Sequence, residues 1–279
     1  MTDDRSAVPA EPGEADIAAT GIDITVPHSA RIWNYWLGGK DNFAVDRAAG
    51  DAWTATFPAQ IAIARASRDF LTRSIRYLAQ DAGIRQFLDV GTGLPTADNT
   101  HQVAQRIAPE ARIVYVDNDP LVLAHARALL TSTPEGATAY IHADLRDADQ
   151  IMAQAAETLD FDKPIALILS GILGHVTDTA EARSIVANLM DALPSGSYLS
   201  LNDGTSHIGG RQQEEATRDY NDSGAVPYVQ RTPEEIASFF DGLELVPPGV
   251  VSNPRWRPEN PGDELPDEID AFCGVGRKP

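Results

Sequence analysis

The sequence predicts an α/β fold: a doubly wound, mostly parallel seven-stranded sheet preceded by a helical N-terminal extension. Three observations predict it. From residue 82 onward, short apolar runs ending in polar or acidic residues alternate with helical stretches, the pattern of successive βαβ units. The run Pro164-Ile165-Ala166-Leu167-Ile168-Leu169 is continuously apolar, as a central parallel strand buried on both faces requires. The run Phe87-Leu88-Asp89-Val90 breaks directly into Gly91-Thr92-Gly93, a glycine turn where a doubly wound sheet receives its ligand.

The elements follow in order. Residues 1–24 carry Asp3, Asp4, Glu11, Glu14 and Asp16 without a basic or apolar region, so they read as a disordered acidic lead and not a signal peptide. Residues 25–81 read as the extension. It contains a helix from Ser29 to Leu37, with Ile32, Trp33, Trp36 and Leu37 on one face and a Gly38-Gly39 stop. A second helix, carrying Phe70, Leu71, Ser74, Ile75 and Leu78, ends near Gly83. Residues 82–279 form the domain proper. After its glycine turn, Pro95 suits the first turn of a helix with Asn99 and His101 on its surface. Arg112 to Asp117 is a second strand, and Asp119-Pro120 caps and opens a helix through Leu130. Tyr140 to Leu145 is a third strand, ending at Asp144. The fourth ends at Ser170-Gly171, and Asp178 with Glu181 reads as a capping box for the next helix. Leu193 to Ser197 turns into the strand Tyr198 to Leu201, after which Asn202-Asp203-Gly204 reads as an ordinary turn. Thr232 and Glu235 form another capping box. Leu243 to Val251 and Ala271 to Arg277 close the sheet as a strand pair, an antiparallel edge. The proline-rich loop between them, Ser252 to Ile269, reads as a solvated connection or a flap.

The chemistry follows from what sits at the strand ends. A carboxylate two residues before the first glycine is ill suited to a dinucleotide, whose pyrophosphate it would repel at the helix N-terminus. Asp89 suits an ammonium and a sulfonium, and so points to S-adenosylmethionine. Asp117 is placed to accept hydrogen bonds from two ribose hydroxyls. Asp144 can accept from the exocyclic amine of adenine, and Leu145 can cover one face of that ring. Gly91, Thr92, Gly93, Asn118 and Ser170 complete the expected cofactor site on the sheet. His28, Arg31 and Asn34 are polar residues that packing of the Ser29–Leu37 helix does not require. They are candidates for the methionine end, where Arg31 would pair the cofactor's carboxylate; Lys40 and Asp41 suit local pairing.

For catalysis the candidate is His175, past the fourth strand, which can take a proton near neutral pH; the alternative is a plain loop histidine. Asp203 with His207 is a weaker candidate for orienting an acceptor. No catalytic triad is expected, because a sulfonium is already an activated electrophile and alignment does most of the work. An NAD-dependent oxidoreductase is disfavoured by Asp89, by Thr96 where the nicotinamide fingerprint needs glycine, and by the lack of a tyrosine–lysine or histidine catalytic arrangement. A non-catalytic binder of S-adenosylmethionine stays open as the alternative.

On these residues the chain resembles the class I S-adenosylmethionine-dependent methyltransferases over roughly residues 82 to 279. The segment from Pro27 to Phe43, with the strings Asp89 to Thr96 and Tyr115 to Pro120, is similar to a bacterial methyltransferase family long known only as a domain of unknown function. In that family proline at position 95 is normal. The resemblance implies the fold and S-adenosylmethionine, and makes the Pro27–Phe43 segment a lid over the methionine end; it implies no particular acceptor.

Composition bounds partners. With 22 basic and 41 acidic residues the formal net charge is -19, which repels phosphate backbones, so a small molecule and not a nucleic acid is the expected acceptor. The single cysteine, Cys273, excludes an internal disulfide and multi-cysteine zinc sites and reads as a buried strand residue. No apolar stretch is long enough to span a membrane, and the expected location is cytoplasmic.

Overall fold

The computed structural model describes residues 23–96, 98–129, 131–259 and 265–279. The acidic lead expected over residues 1–24 therefore falls outside the described residues except for its last two, as does Leu130. Strands β1 (Gln86–Val90), β2 (Arg112–Asp117), β3 (Ala137–His142), β4 (Ala166–Ser170) and β5 (Tyr198–Gly204) run parallel in the order β3-β2-β1-β4-β5. Two short strands, β6 (Glu244–Leu245) and β7 (Val251–Ser252), both pair antiparallel with β8 (Ala271–Arg277), which lies antiparallel beside β5. The sheet thus has eight strands where seven are expected. The run from Leu243 to Val251 is two strands, because Pro247-Pro248 offers no N–H to a ladder.

Helices α1 (Ser29–Trp36), α2 (Ala44–Thr56) and α3 (Gln60–Gln80) make the N-terminal extension. The crossovers and the C-terminal part carry α4 (Thr100–Ile107), α5 (Pro120–Leu129), α6 (Ala148–Ala155), α7 (Thr179–Asp191), α8 (Gly210–Asp222) and α9 (Pro233–Ser238). Strand alternation sorts the core. Leu88 and Val90 of β1 point to the face covered by Ile151 of α6, Ile185 and Leu189 of α7, and Ile236 of α9. Phe87 points to the opposite face, against Phe70, Ile75 and Leu78 of α3 and Val103 of α4. Ile75 and Leu78 are fully buried, each stabilising by about 1.5–3 kcal/mol. Asp89 shares the parity of Phe87, so its carboxylate is directed toward α3 and α4. The extension joins the same body: Ile32, Trp36, Trp53 and Phe57 cluster with Ala216 and Tyr220 of α8.

Several local expectations are met and others revised. Helix α3 ends as expected, with the Ile84 N–H closing onto the Leu78 carbonyl at 2.8 Å. Thr232 and Glu235 form the expected reciprocal capping box. Asp178 caps α7 by accepting from the Glu181 N–H at 2.8 Å, but the Glu181 carboxylate turns to Arg146. Pro95 is not in a helix. Helix α4 starts only at Thr100, where Asn99 and Gln102 cap each other. Strand β3 ends at His142, leaving Asp144 in the loop beyond it. Asn202 to Gly204 is the end of β5 and not a turn, because β8 pairs with it over its whole length. The loop after β7 is neither flap nor plain connection in its first part. Trp256 is wholly buried beneath α3, and Arg73 donates to the carbonyls of Trp256 and Asn253 at 3.0 and 2.7 Å. Cys273 is buried in β8 as expected. Among the described residues no helix is long and apolar enough to cross a membrane.

Candidate functional site

Strand order reverses between β1 and β4, and there the carboxyl ends of the strands diverge into a crevice. The turn after β1 forms its floor. Gly91 and Gly93 take φ of +75° and +66°, and a Cβ on Gly91 would stand 2.5–2.8 Å from the Ile172 side chain, so only glycine fits. The turn is tied to β2: the Gly91 N–H donates to the Val116 carbonyl at 2.9 Å, and the Gly93 N–H to Asp117 Oδ2 at 2.9 Å. Asp117 Oδ1 accepts from the Asp119 N–H at 2.9 Å, and Asp119 in turn caps α5 through the Leu121 N–H. An ionised carboxylate has about four acceptor positions, so Asp117 keeps capacity for a ligand.

Above this floor lies a cavity of ≈ 370 Å³, within the range of small-molecule sites. Asp89, Gly91, Thr92, Gly93, Asp117, Asn118, Asp144, Leu145 and Ser170 all line it, as do His28, Asn34 and His175. Arg31 is the exception. It is buried facing away, donating to the carbonyls of Asp23 and Val26 at 2.9 and 2.8 Å and pairing with Asp46 at 3.2 Å. Asp46, fully buried, also accepts from the backbone N–H groups of His28 and Phe43 at 2.9 and 2.8 Å. Arg31 thus anchors the extension, and its expected role at the methionine end is corrected. Asn34 keeps its place on the wall, although its carbonyl is held by the Asp41 N–H and Asn42 Nδ2. His28 Nδ1 stands 3.3 Å from Asp119 Oδ2, and neither atom has a further hydrogen-bond partner among the described residues.

Two arginines, Arg68 and Arg146, line the cavity, and the sequence reading misses both; Arg146 is paired with Asp144 and Glu181. Ala64, Ser67, Arg68 and Leu71 all line the cavity. Their spacing is that of one helix face, so the period of α3 carries the signal once its apolar neighbours are known to cover the sheet. Arg68 donates to the Asp98 carbonyl at 3.0 Å and to Asn99 Oδ1 at 3.4 Å. Burial pushes the Asp89 carboxyl up to about 6, although the 2.6 Å bond from Thr100 Oγ1 and the Arg68 charge pull the other way. Burial likewise raises Asp117. Asp144 stands nearer the mouth, paired with Arg146 at 3.3 Å. The Ser170 hydroxyl donates to Asn202 Oδ1 at 2.7 Å, which brings Asn202 onto the wall as well.

His175 ends a short 3₁₀ turn, Leu173–His175. Its Nδ1 lies 3.1 Å from the Pro227 carbonyl, an acceptor only, so Nδ1 carries the proton there and Nε2 holds the free lone pair. Burial lowers its pKa, keeping the ring neutral around pH 7. The turn is held by Arg231, which donates to the carbonyls of Leu173 (2.8 Å) and Val176 and pairs with Asp203 at 3.3 Å, all three groups deeply buried. Tyr228 stacks edge-on against His175 and donates to Asp203 Oδ1 at 3.1 Å. A Cβ on Gly174 would meet the Tyr228 ring at 2.0 Å, so glycine permits this approach. Asp203 therefore belongs to a buried support, not to a pair with His207, which is exposed and rests against Phe272. His101 is also revised. It is buried, its ring bonded to the Tyr115 hydroxyl at 2.8 Å, and burial lowers its pKa to about 4.

A second, smaller cavity of ≈ 40 Å³ adjoins the first and shares Ser29, Trp33, Ser67, Gly171, His175 and Asn202 with it. Its remaining wall includes the aromatic side chains of Trp36, Trp53, Tyr220 and Tyr228. Helix α1 contributes to both cavities, through His28, Asn34 and Leu37 at its ends and flank on one side and through Ile32 and Trp36 on the other.

Comparison with known proteins places this architecture. A family profile described as S-adenosyl methyltransferase matches residues 15–279. The fold is similar to a solved DUF574 family protein from Streptomyces avermitilis, at 45% identity, covering 92% of this chain and 99% of that one, with a TM-score of 0.88. It is also similar to a candidate methyltransferase from Thermobifida fusca, at 41% identity, covering 92% and 97%, with a TM-score of 0.84. A search of curated proteins gave no match.

Proposed function

Because the chain belongs to the S-adenosyl methyltransferase family, and is thus an S-adenosylmethionine-dependent enzyme, we propose that it methylates a small-molecule acceptor with His175 as the proton-accepting group. The observation that carries this reading is the junction of the two cavities, where His175, Gly171 and Asn202 face both. S-adenosylmethionine supplies an activated methyl group on a sulfonium. The residues around the larger cavity fit it: Asp89 complements an ammonium, Arg68 a carboxylate, Asp117 a ribose diol, and Asp144 with Leu145 an adenine edge and face. His28 and Asn34 close the methionine end from α1, and the glycine turn admits the cofactor against the backbone. His175 Nε2 takes a proton from an acceptor aligned in the smaller cavity, while the surrounding aromatic wall excludes water. Nucleic acid is excluded as acceptor in this reading on the net charge of -19. A cytoplasmic location is part of it, in keeping with a lone, free cysteine.

The test is transfer of a labelled methyl group from S-adenosylmethionine in the presence of a low-molecular-weight cell extract, with the products fractionated by size. Label is expected in the small-molecule fraction. Label confined to protein or nucleic acid, or no transfer with cofactor bound, overturns the reading.

The role given to Asp89 carries a pH signature. Its folded-state pKa of about 6 means that it binds a proton below that pH, and the ammonium requires the charged form. Cofactor affinity is therefore expected to be level from pH 7 to 8 and to fall by about tenfold per unit below pH 6, one proton being released per cofactor bound. Calorimetry from pH 5 to 8 reads this, and a flat profile would show that Asp89 does not hold the ammonium.

A further inference from the structure

Four buried polar atoms of residues lining the smaller cavity have no hydrogen-bond partner among the described residues: Trp53 Nε1, Gln60 Oε1, Gln213 Oε1 and the Tyr220 hydroxyl. All four side chains are at least nine-tenths buried. Unpaired buried polar groups are rare in folded proteins and costly to stability. Finding four around one chamber, contributed by α2, α3 and α8, is not a packing accident of one element. Their neighbours do find partners: Trp36 Nε1 donates to the Gly50 carbonyl at 3.3 Å, and Ser67 Oγ accepts from Asn253 Nδ2 at 3.0 Å.

From this we infer that the smaller cavity is the acceptor subsite, and that it takes a neutral, single-ring aromatic molecule bearing both a hydrogen-bond donor and an acceptor on its buried edge. The inference rests on the methyltransferase reading above and narrows its substrate class. The amide oxygens of Gln60 and Gln213 call for a donor, the indole N–H of Trp53 calls for an acceptor, and the Tyr220 hydroxyl serves as either. The aromatic walls supply the flat apolar surface. Trp33, Trp36, Trp53 and Tyr220 contact one another edge to face at 5.4–5.8 Å, a continuous strip and not a ring of faces around a cation.

Charge is excluded by what lines the chamber. Its wall carries no lysine or arginine, and its one carboxylate, Asp270, already accepts from the backbone N–H groups of Ile208 and Gly209 at 2.7 and 2.5 Å. An anionic ligand group would therefore be buried without a counter-ion, and a cationic one would meet only a carboxylate already held by two backbone donors. The chamber's ≈ 40 Å³ is too small for a whole ring, so it takes only the polar edge of a single ring, the rest lying at the junction with the larger cavity.

The experiment titrates the full-length protein, alone and with S-adenosylhomocysteine, against four single-ring probes: benzamide, toluene, benzoate and benzylamine. Benzamide offers the donor and the acceptor; the others are its apolar, anionic and cationic counterparts. Saturation-transfer NMR and calorimetry should find benzamide bound at least tenfold more tightly than each of the other three. Gln213→Leu, which removes an acceptor at similar bulk, and Trp53→Phe, which removes a donor and widens the chamber, should each reduce that preference at least fivefold. A purely structural role would instead leave the preference unmoved. Equal binding of benzamide and toluene overturns the inference, as does stronger binding of either ion, or a preference that survives both variants. If no probe binds while S-adenosylhomocysteine does, the chamber holds ordered water and only this inference falls. If S-adenosylhomocysteine does not bind, the methyltransferase reading falls, whatever the probes do.

Discussion

Replacing Arg231 with methionine is expected to destabilise the fold by about 3–5 kcal/mol, because it strands the Asp203 carboxylate in the interior. Asp203 has no exposure to water, and even beside the guanidinium burial holds its pKa up at about 6. The sign of the pH dependence follows. A group whose folded pKa lies above its unfolded value near 3.8 stabilises most below that value, and the contribution is lost as pH rises through the folded pKa. Without Arg231 the folded pKa rises further, so the variant's deficit should be smaller at pH 5 than at pH 8. Thermal or urea unfolding at both values reads this. Adding Asp203→Asn should recover part of the loss, and an equal deficit at both pH values would remove the stranded charge as its cause.

The second large effect is on chemistry. His175→Gln is expected to lower kcat by about 10²–10⁴, the usual contribution of a positioned general base. Cofactor affinity should stay within a few-fold, because the ring stands at the junction and not at the glycine turn. Glutamine retains a donor for the Pro227 carbonyl but has no group able to take a proton, so it separates base from scaffold. The loss should shrink with an acceptor whose nucleophile is already deprotonated. An unchanged kcat would reduce His175 to a wall residue.

That Asp89, Gly91, Gly93 and Asp117 line one cavity is legible in the sequence, because the signals are local. All four stand at strand ends or in the turn, and each is recognisable from its immediate neighbours as a carboxylate or glycine that the strand itself does not need. The helical extension is harder to read. Arg31 and Asn34 sit one helical turn apart, yet one is spent on Asp46 and the other lines the cavity. A helix period gives a face but not the partner that the face meets. Arg68 is hidden for the same reason, on a helix whose pattern is dominated by its apolar side. The smaller cavity was invisible. It joins residues from α1, α2, α3 and α8 with the ends of β4 and β5, and no window along the chain contains more than a fragment of it.

That α1 walls both cavities has a thermodynamic consequence. In the proposed reading the two ligands share one partition, held at its base by Asp46 and Arg31, so the enclosure of each depends on the same helix. Occupancy of either chamber favours the docked state of α1, and by reciprocity the factor by which the acceptor tightens the cofactor equals the factor by which the cofactor tightens the acceptor. In the same reading, escape of the demethylated cofactor requires α1 to undock, and weakening the Asp46–Arg31 hold is expected to speed it.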